Sequence, residues 1–180
     1  MVNRIIAWGI LIFTLILGVV TVGLFVLNID TTVPANWGSD AGVRSGFTDW
    51  INLLFLSIVV PLISTFLGAV ITTQRPRHHI GWLLVLLGVI TSLTGFLAEF
   101  NIYTNFTLDQ RVPGQQIVPW FENWMWVILF GVLFLTLAIF PQGKFQSRNW
   151  GVLFSLVWGI FISSMLLSKA IETPMSSAYS

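Results

Sequence analysis

Residues 5–27, 50–72, 80–98, 124–140 and 150–167 form five runs that contain no Asp, Glu, Lys or Arg. A bilayer core about 30 Å thick is crossed by roughly 20 apolar residues in helical conformation, so runs of this length read as transmembrane helices. The two later runs are short for a full span and extend into the interface through residues 119–121 and 168–171. Only 8% of the 180 residues are charged and 56% are hydrophobic. A soluble domain needs roughly 25% charged residues to coat its surface, so these numbers exclude both a soluble globule and an extended disordered chain. Period-two alternation is absent, which leaves helix as the state that satisfies the backbone in lipid.

The charges between the runs set an orientation. With the N-terminus in the cytoplasm, Arg4, Arg75, Arg77, Lys144 and Arg148 all fall inside. Every acid (Asp30, Asp40, Asp49, Glu99, Asp109, Glu122 and Glu172) then falls at or beyond the outer face, together with Arg44, Arg111 and Lys169. That partition follows the positive-inside rule. The expected fold is therefore all-α: a polytopic integral membrane bundle of five transmembrane helices, N-terminus cytoplasmic and C-terminus outside, forming one domain over residues 1–180. The first run is about twice the length of a signal-peptide core and reads as an uncleaved helix. The outer connections, residues 28–49 and about 99–123, are rich in Asn, Asp, Thr, Gly and Pro and read as loops able to hold a small exposed cap. Trp50, Trp82, Trp124 and Trp150 open four of the runs, as an aromatic belt at headgroup depth would.

Several positions stand out as candidates for packing or function. Gly88 with Ser92, and Thr91 with Gly95, are small-xxx-small pairs on the third run, the pattern that lets membrane helices approach closely. Pro61 interrupts the second run and predicts a kink near residues 56–58, with Ser57 and Ser64 placed to satisfy freed carbonyls. Glu99 is the ionisable residue nearest the interior of a run. It reads as an interfacial carboxylate reaching water, with binding of a proton, a cation or a basic ligand as the functional alternative. Arg75, Arg77, His78 and His79 form a basic inner turn suited to anionic lipid headgroups; axial ligation of a pigment by one histidine is the alternative. No cysteine, phosphate loop, nucleophile elbow or paired-carboxylate spacing occurs. No enzyme activity, cofactor, metal or nucleic-acid partner is expected.

Two inner-turn strings carry a resemblance. Arg75-Pro76-Arg77-His78-His79-Ile80-Gly81-Trp82-Leu83-Leu84 and Ile139-Phe140-Pro141-Gln142-Gly143-Lys144-Phe145-Gln146-Ser147-Arg148-Asn149-Trp150 resemble the N-terminal multi-helix membrane region of a group of bacterial sensor histidine kinases. There the strings tend to read R-x-x-x-P-I-G-W-L-L and L-F-P-x-G-R-L-P-S-x-R-W. The resemblance covers about residues 65–167. His79 replaces the family's usual Pro, and Phe145-Gln146 replaces Leu-Pro. The kinase module is absent from the sequence, and that module is cytoplasmic, whereas five crossings leave the C-terminus outside.

The resemblance implies a sensory or signal-transmitting module of a two-component system in a bacterial inner membrane, partnered by membrane lipids and other membrane helices. The competing expectation is an accessory structural subunit of a respiratory or photosynthetic membrane complex, binding lipid or pigment. Pro61 and the small-residue face of the third run are where movement is expected.

Overall fold

The computed structural model describes residues 2–34, 42–43, 46–108, 113 and 117–171, without the side chains of 2, 123 and 166–171. Helix dominates. The elements are α1 (Val2–Leu27), α2 (Phe47–Leu54), a wide π-helical turn π1 (Phe55–Val59), α3 (Val60–Gln74), α4 (His79–Ile102), a second wide turn π2 (Tyr103–Thr107), α5 (Ile117–Ile139) and α6 (Arg148–Ile171). α2, π1 and α3 run on without a break, as do α4 and π2. Among the described residues, four helices are long and apolar enough to cross a membrane: Asn3–Leu27, Phe47–Gln74, His79–Thr107 and Ile117–Ile139. The fifth uncharged run is helical as well, as α6. The connection after α1 carries a two-stranded antiparallel pair, Thr32–Val33 with Gly42–Val43.

The chain divides into two compact units, Met1–Gly143 and Lys144–Ser180. In the first, α4 packs against α1, α3 and α5. α1 shows how a helix is sorted in lipid. Its buried residues are Ala7, Thr14, Gly18, Thr21, Phe25 and Asn28, spaced by threes, fours and a seven, while Ile5, Ile12, Ile16 and Val19 face outward. Apolar side chains gain little by leaving lipid, and apart from Phe25 the inward stripe is made of small and polar residues that allow close contact. Thr14 and Thr21 donate to the carbonyls of Ile10 and Leu17, four residues back, and so enter the core with their hydroxyls satisfied.

The closest seam joins π1 and α3 to α4, antiparallel. A Cβ added at Gly81 would lie 2.6 Å from the Thr72 hydroxyl, one at Gly88 would overlap the Thr65 hydroxyl and lie 2.6 Å from the Pro61 carbonyl, and one at Gly95 would overlap the Ser57 hydroxyl. Gly68 meets the Gly81 carbonyl and the Val85 amide in the same way, both at 2.6 Å. Three glycines seven residues apart on α4 thus each receive a hydroxyl side chain. Only the absence of a Cβ permits this approach.

The Pro61 irregularity takes the form of π1. Pro61 has no N–H to donate, and the Val60 amide reaches back five residues to the Phe55 carbonyl. The wider turn leaves Leu53, Ser57, Pro61 and Thr65, each four residues apart, all buried. Pro61→Ala would restore the missing donor. The expected result is a newly protected amide at residue 61 in hydrogen–deuterium exchange, with stability changed by less than about 1 kcal/mol.

Candidate functional site

The densest buried polar chemistry lies where α1 ends beside the last turns of α4. α1 places Asn28 seven residues after Thr21 on its inward stripe, and Asn28 is fully buried. Its side-chain Nδ2 donates to both the Glu99 carboxylate, Oε2, and the Glu99 backbone carbonyl, each at 3.0 Å. Its Oδ1 accepts from the Thr107 hydroxyl at 2.7 Å. Since that bond uses Thr107's one proton, the 3.1 Å contact between the Thr31 and Thr107 hydroxyls has Thr31 as donor. A directed chain therefore runs from Thr31 through Thr107 and Asn28 to Glu99.

A second cluster uses the opposite side of α4. Residues 99 and 101 lie about 200° apart on a helix of 3.6 residues per turn, so Asn101 faces away from Glu99. Asn101 donates from Nδ2 to Glu122 Oε2 of α5 at 2.6 Å. Asn105, one turn on, donates to the Asn101 carbonyl and to its Oδ1, both at 2.8 Å. Thr104 donates to the Phe100 carbonyl at 2.9 Å. α4 is thereby tied through polar side chains to α1 on one face and to α5 on the other.

Glu99 departs from the sequence expectation. It is 2% exposed and does not reach water as an interfacial carboxylate would. The reason is that the helix does not stop at Ala98. It continues through π2 to Thr107, because Thr104 and Asn105 satisfy themselves on their own helix while Thr107 is held by Asn28. Residues 99–107, expected as the start of a loop, are helical, and α5 begins at Ile117 before Glu122.

The small-residue positions behave as a packing face. Gly88, Ser92 and Gly95 all lie in the α4 core, Ser92 and Gly88 buried, and Gly88 and Gly95 meet α3 and π1 directly. Thr91 instead donates to its own Leu87 carbonyl. The sequence reading missed their counterparts Thr65, Gly68 and Thr72, and missed Gly81 on α4 itself. It also missed Asn28, Asn101 and Thr107. The repeat 7, 14, 21, 28 along α1, continued past the end of the apolar run, was the available signal for Asn28.

The basic turn sits at the other end of α4. Arg75 and Arg77 are exposed. His78 packs its ring on Gly143, with Cε1 3.3 Å from where a Cβ would stand, and His79 Nδ1 lies 3.1 Å from the Gly143 carbonyl. Gly143 has φ of +73°, a conformation that suits glycine. The two sequence strings that carry the resemblance therefore touch. Among the described residues, no three His, Asp or Glu side chains gather where they could hold a metal ion. No family model, curated protein or solved structure matches this chain.

Proposed function

We propose that this chain is a non-catalytic, membrane-embedded sensory or signal-transmitting module resembling the input region of a bacterial sensor histidine kinase. On this reading it crosses the inner membrane five times, with the N-terminus in the cytoplasm and the C-terminus outside. The observation that carries the proposal is the span of α4. One end is tied to α1 and α5 through Glu99 and Asn101, and the other is the basic turn docked on Gly143. A stimulus that changes the polar cluster moves α4, and the turn at its far end moves with it, provided the bundle has two packings separated by a few kcal/mol. Arg75 and Arg77, exposed in that turn, suit anionic lipid headgroups, each contributing about 1 kcal/mol near such a surface.

Two measurements test this. The DNA following the codon for Ser180 is expected to encode a further crossing and a kinase in the same frame; a stop codon there counts against the sensor. Single cysteines at Gln74 and at Pro174, in a chain with none of its own, are expected to react with an impermeant reagent from opposite sides. Labelling from one side would remove the five-crossing topology.

A second reading, an accessory structural subunit of a larger membrane complex, is favoured by one observation. α6 presents Ser155, Gly159 and Ser163 in a shallow open groove, and nothing lies within 4 Å of where a Gly159 Cβ would be. Small residues in this arrangement suit contact with another membrane helix. Copurification in fixed stoichiometry after mild extraction supports that reading; a lone species supports the sensor.

A further inference from the structure

Most of the described buried threonines of this bundle satisfy their hydroxyls on their own helix. Thr14, Thr21, Thr91, Thr94, Thr104 and Thr136 each donate to the carbonyl four residues back, at 2.7–2.9 Å. In hydrocarbon this is the cheapest way to satisfy a helical hydroxyl, since the acceptor is always at hand. Thr65 and Thr72 do not use it. Both are fully buried, and both hydroxyls lack any hydrogen-bond partner, as does the buried hydroxyl of Ser92. Thr73 of α3 also buries its hydroxyl without a partner, but among the described residues Thr65 and Thr72 are the threonines whose hydroxyls turn onto a glycine, along the seam where α3 and α4 approach closely.

The geometry gives the cause. The Thr65 hydroxyl points at Gly88 and the Thr72 hydroxyl at Gly81, where the only hydrogens offered are those on the glycine Cα. Such C–H···O contacts are weaker than an N–H or O–H bond. A hydroxyl oxygen is also smaller than a methyl group, so this orientation is the one that lets the helices close. Turning the hydroxyl back to its own helix regains a hydrogen bond, but it changes the group that fills the narrowest part of the contact. Close packing and a satisfied hydroxyl compete at the same two side chains.

We propose that the α3–α4 seam is a two-state joint. In the close state the Thr65 and Thr72 hydroxyls face Gly88 and Gly81 without acceptors. In the looser state those hydroxyls bond the carbonyls of Pro61 and Gly68, and α4 stands slightly farther from α3. The wide turn π1 adjoins the seam and takes up the adjustment, because its hydrogen-bond ladder is already interrupted at Pro61. The joint follows from the seam alone and does not require the sensor reading, although it supplies the bistable element that such a sensor would bias.

The test uses the full chain in lipid nanodiscs. Leu67 and Leu86 are exposed and flank the seam. Either is replaced by cysteine, unique in the chain, and tagged with a trifluoromethyl probe for ¹⁹F NMR with saturation transfer. The parent is expected to give two exchanging signals. Thr65→Ala with Thr72→Ala removes the unsatisfied hydroxyls without adding bulk and is expected to leave only the close-state signal. Gly88→Ala places a methyl where the Thr65 hydroxyl sits and is expected to leave only the other. One signal in the parent, with no saturation transfer, overturns the joint; so do two signals whose ratio the threonine pair does not change. If Gly88→Ala does not fold, the threonine pair still decides. Two states with no kinase encoded downstream keep the joint and remove the sensor, whereas a kinase downstream of a one-state seam does the reverse.

Discussion

Replacing Asn28 with leucine is expected to cost about 2–4 kcal/mol and to free the end of α1 from α4. Asn28 makes three hydrogen bonds in a fully buried position. Interhelical hydrogen bonds in membrane proteins contribute about 0.6 kcal/mol on average and up to about 1.7, and a buried donor or acceptor left without its partner costs about 1–3 kcal/mol more. Leucine keeps the branched four-atom skeleton of asparagine but is bulkier, so some crowding at this fully buried position adds to the cost. The larger part comes from Glu99, which loses its Asn28 donor, and from Thr107, which loses its acceptor. Reversible unfolding in bicelles measures the loss. The assignment is checked by a double-mutant cycle: Glu99→Gln should cost distinctly less in the Asn28→Leu background than in the parent. Additive costs would mean that the contact between the two side chains does not hold α1 to α4.

Gly88→Leu is expected to be more damaging, at about 3 kcal/mol or more. Small-to-large changes in a packed core usually cost about 1–3 kcal/mol because neighbouring side chains shift to make room. At Gly88 two of the atoms in the way are backbone, the Pro61 carbonyl and the Thr65 amide, 2.6 and 2.9 Å from the position of a Cβ. Backbone cannot rotate aside, so α3 and α4 must separate along much of their length. Gly9 supplies the contrast. Nothing lies within 4 Å of its Cβ position, and Gly9→Leu is expected to be neutral or to stabilise by about 0.5–1 kcal/mol through helix propensity. The same unfolding measurement compares the pair, and equal costs at both sites would contradict the close seam.

The helices were legible in the sequence because their signal is local. An uncharged run of some 20 residues has few alternatives to helix in lipid, and each of the five runs is helical. Gly88, Ser92 and Gly95 were legible for a related reason, since small residues at spacings of three and four mark a face. What that face touches is not a local property. Thr65, Gly68 and Thr72 gain their meaning from the antiparallel alignment of two helices, which no single run contains.

The end of α4 was misread for a different reason. Asn101, Thr104, Asn105 and Thr107 have the composition of a loop, and polarity argued for ending the helix near Ala98. Back-bonding to carbonyls of the same helix and the tie from Asn28 hide that polarity, so the helix continues and carries Glu99 inside. Polar residues signal exposure only when their bonding groups have no partner within the chain.

Both wide turns lie in the same half of the bundle. Ser57 of π1 meets Gly95, and π2 follows Asn101 a few residues farther along α4. In the opposite half, where Thr72 meets Gly81 and Gly68 meets Val85, the ladder of backbone bonds is unbroken α-helix. The pair formed by α3 and α4 with their wide turns therefore has one pliant end and one stiff end. A push at the pliant end is absorbed there by local rewinding, and what reaches the stiff end is the tilt of whole rods.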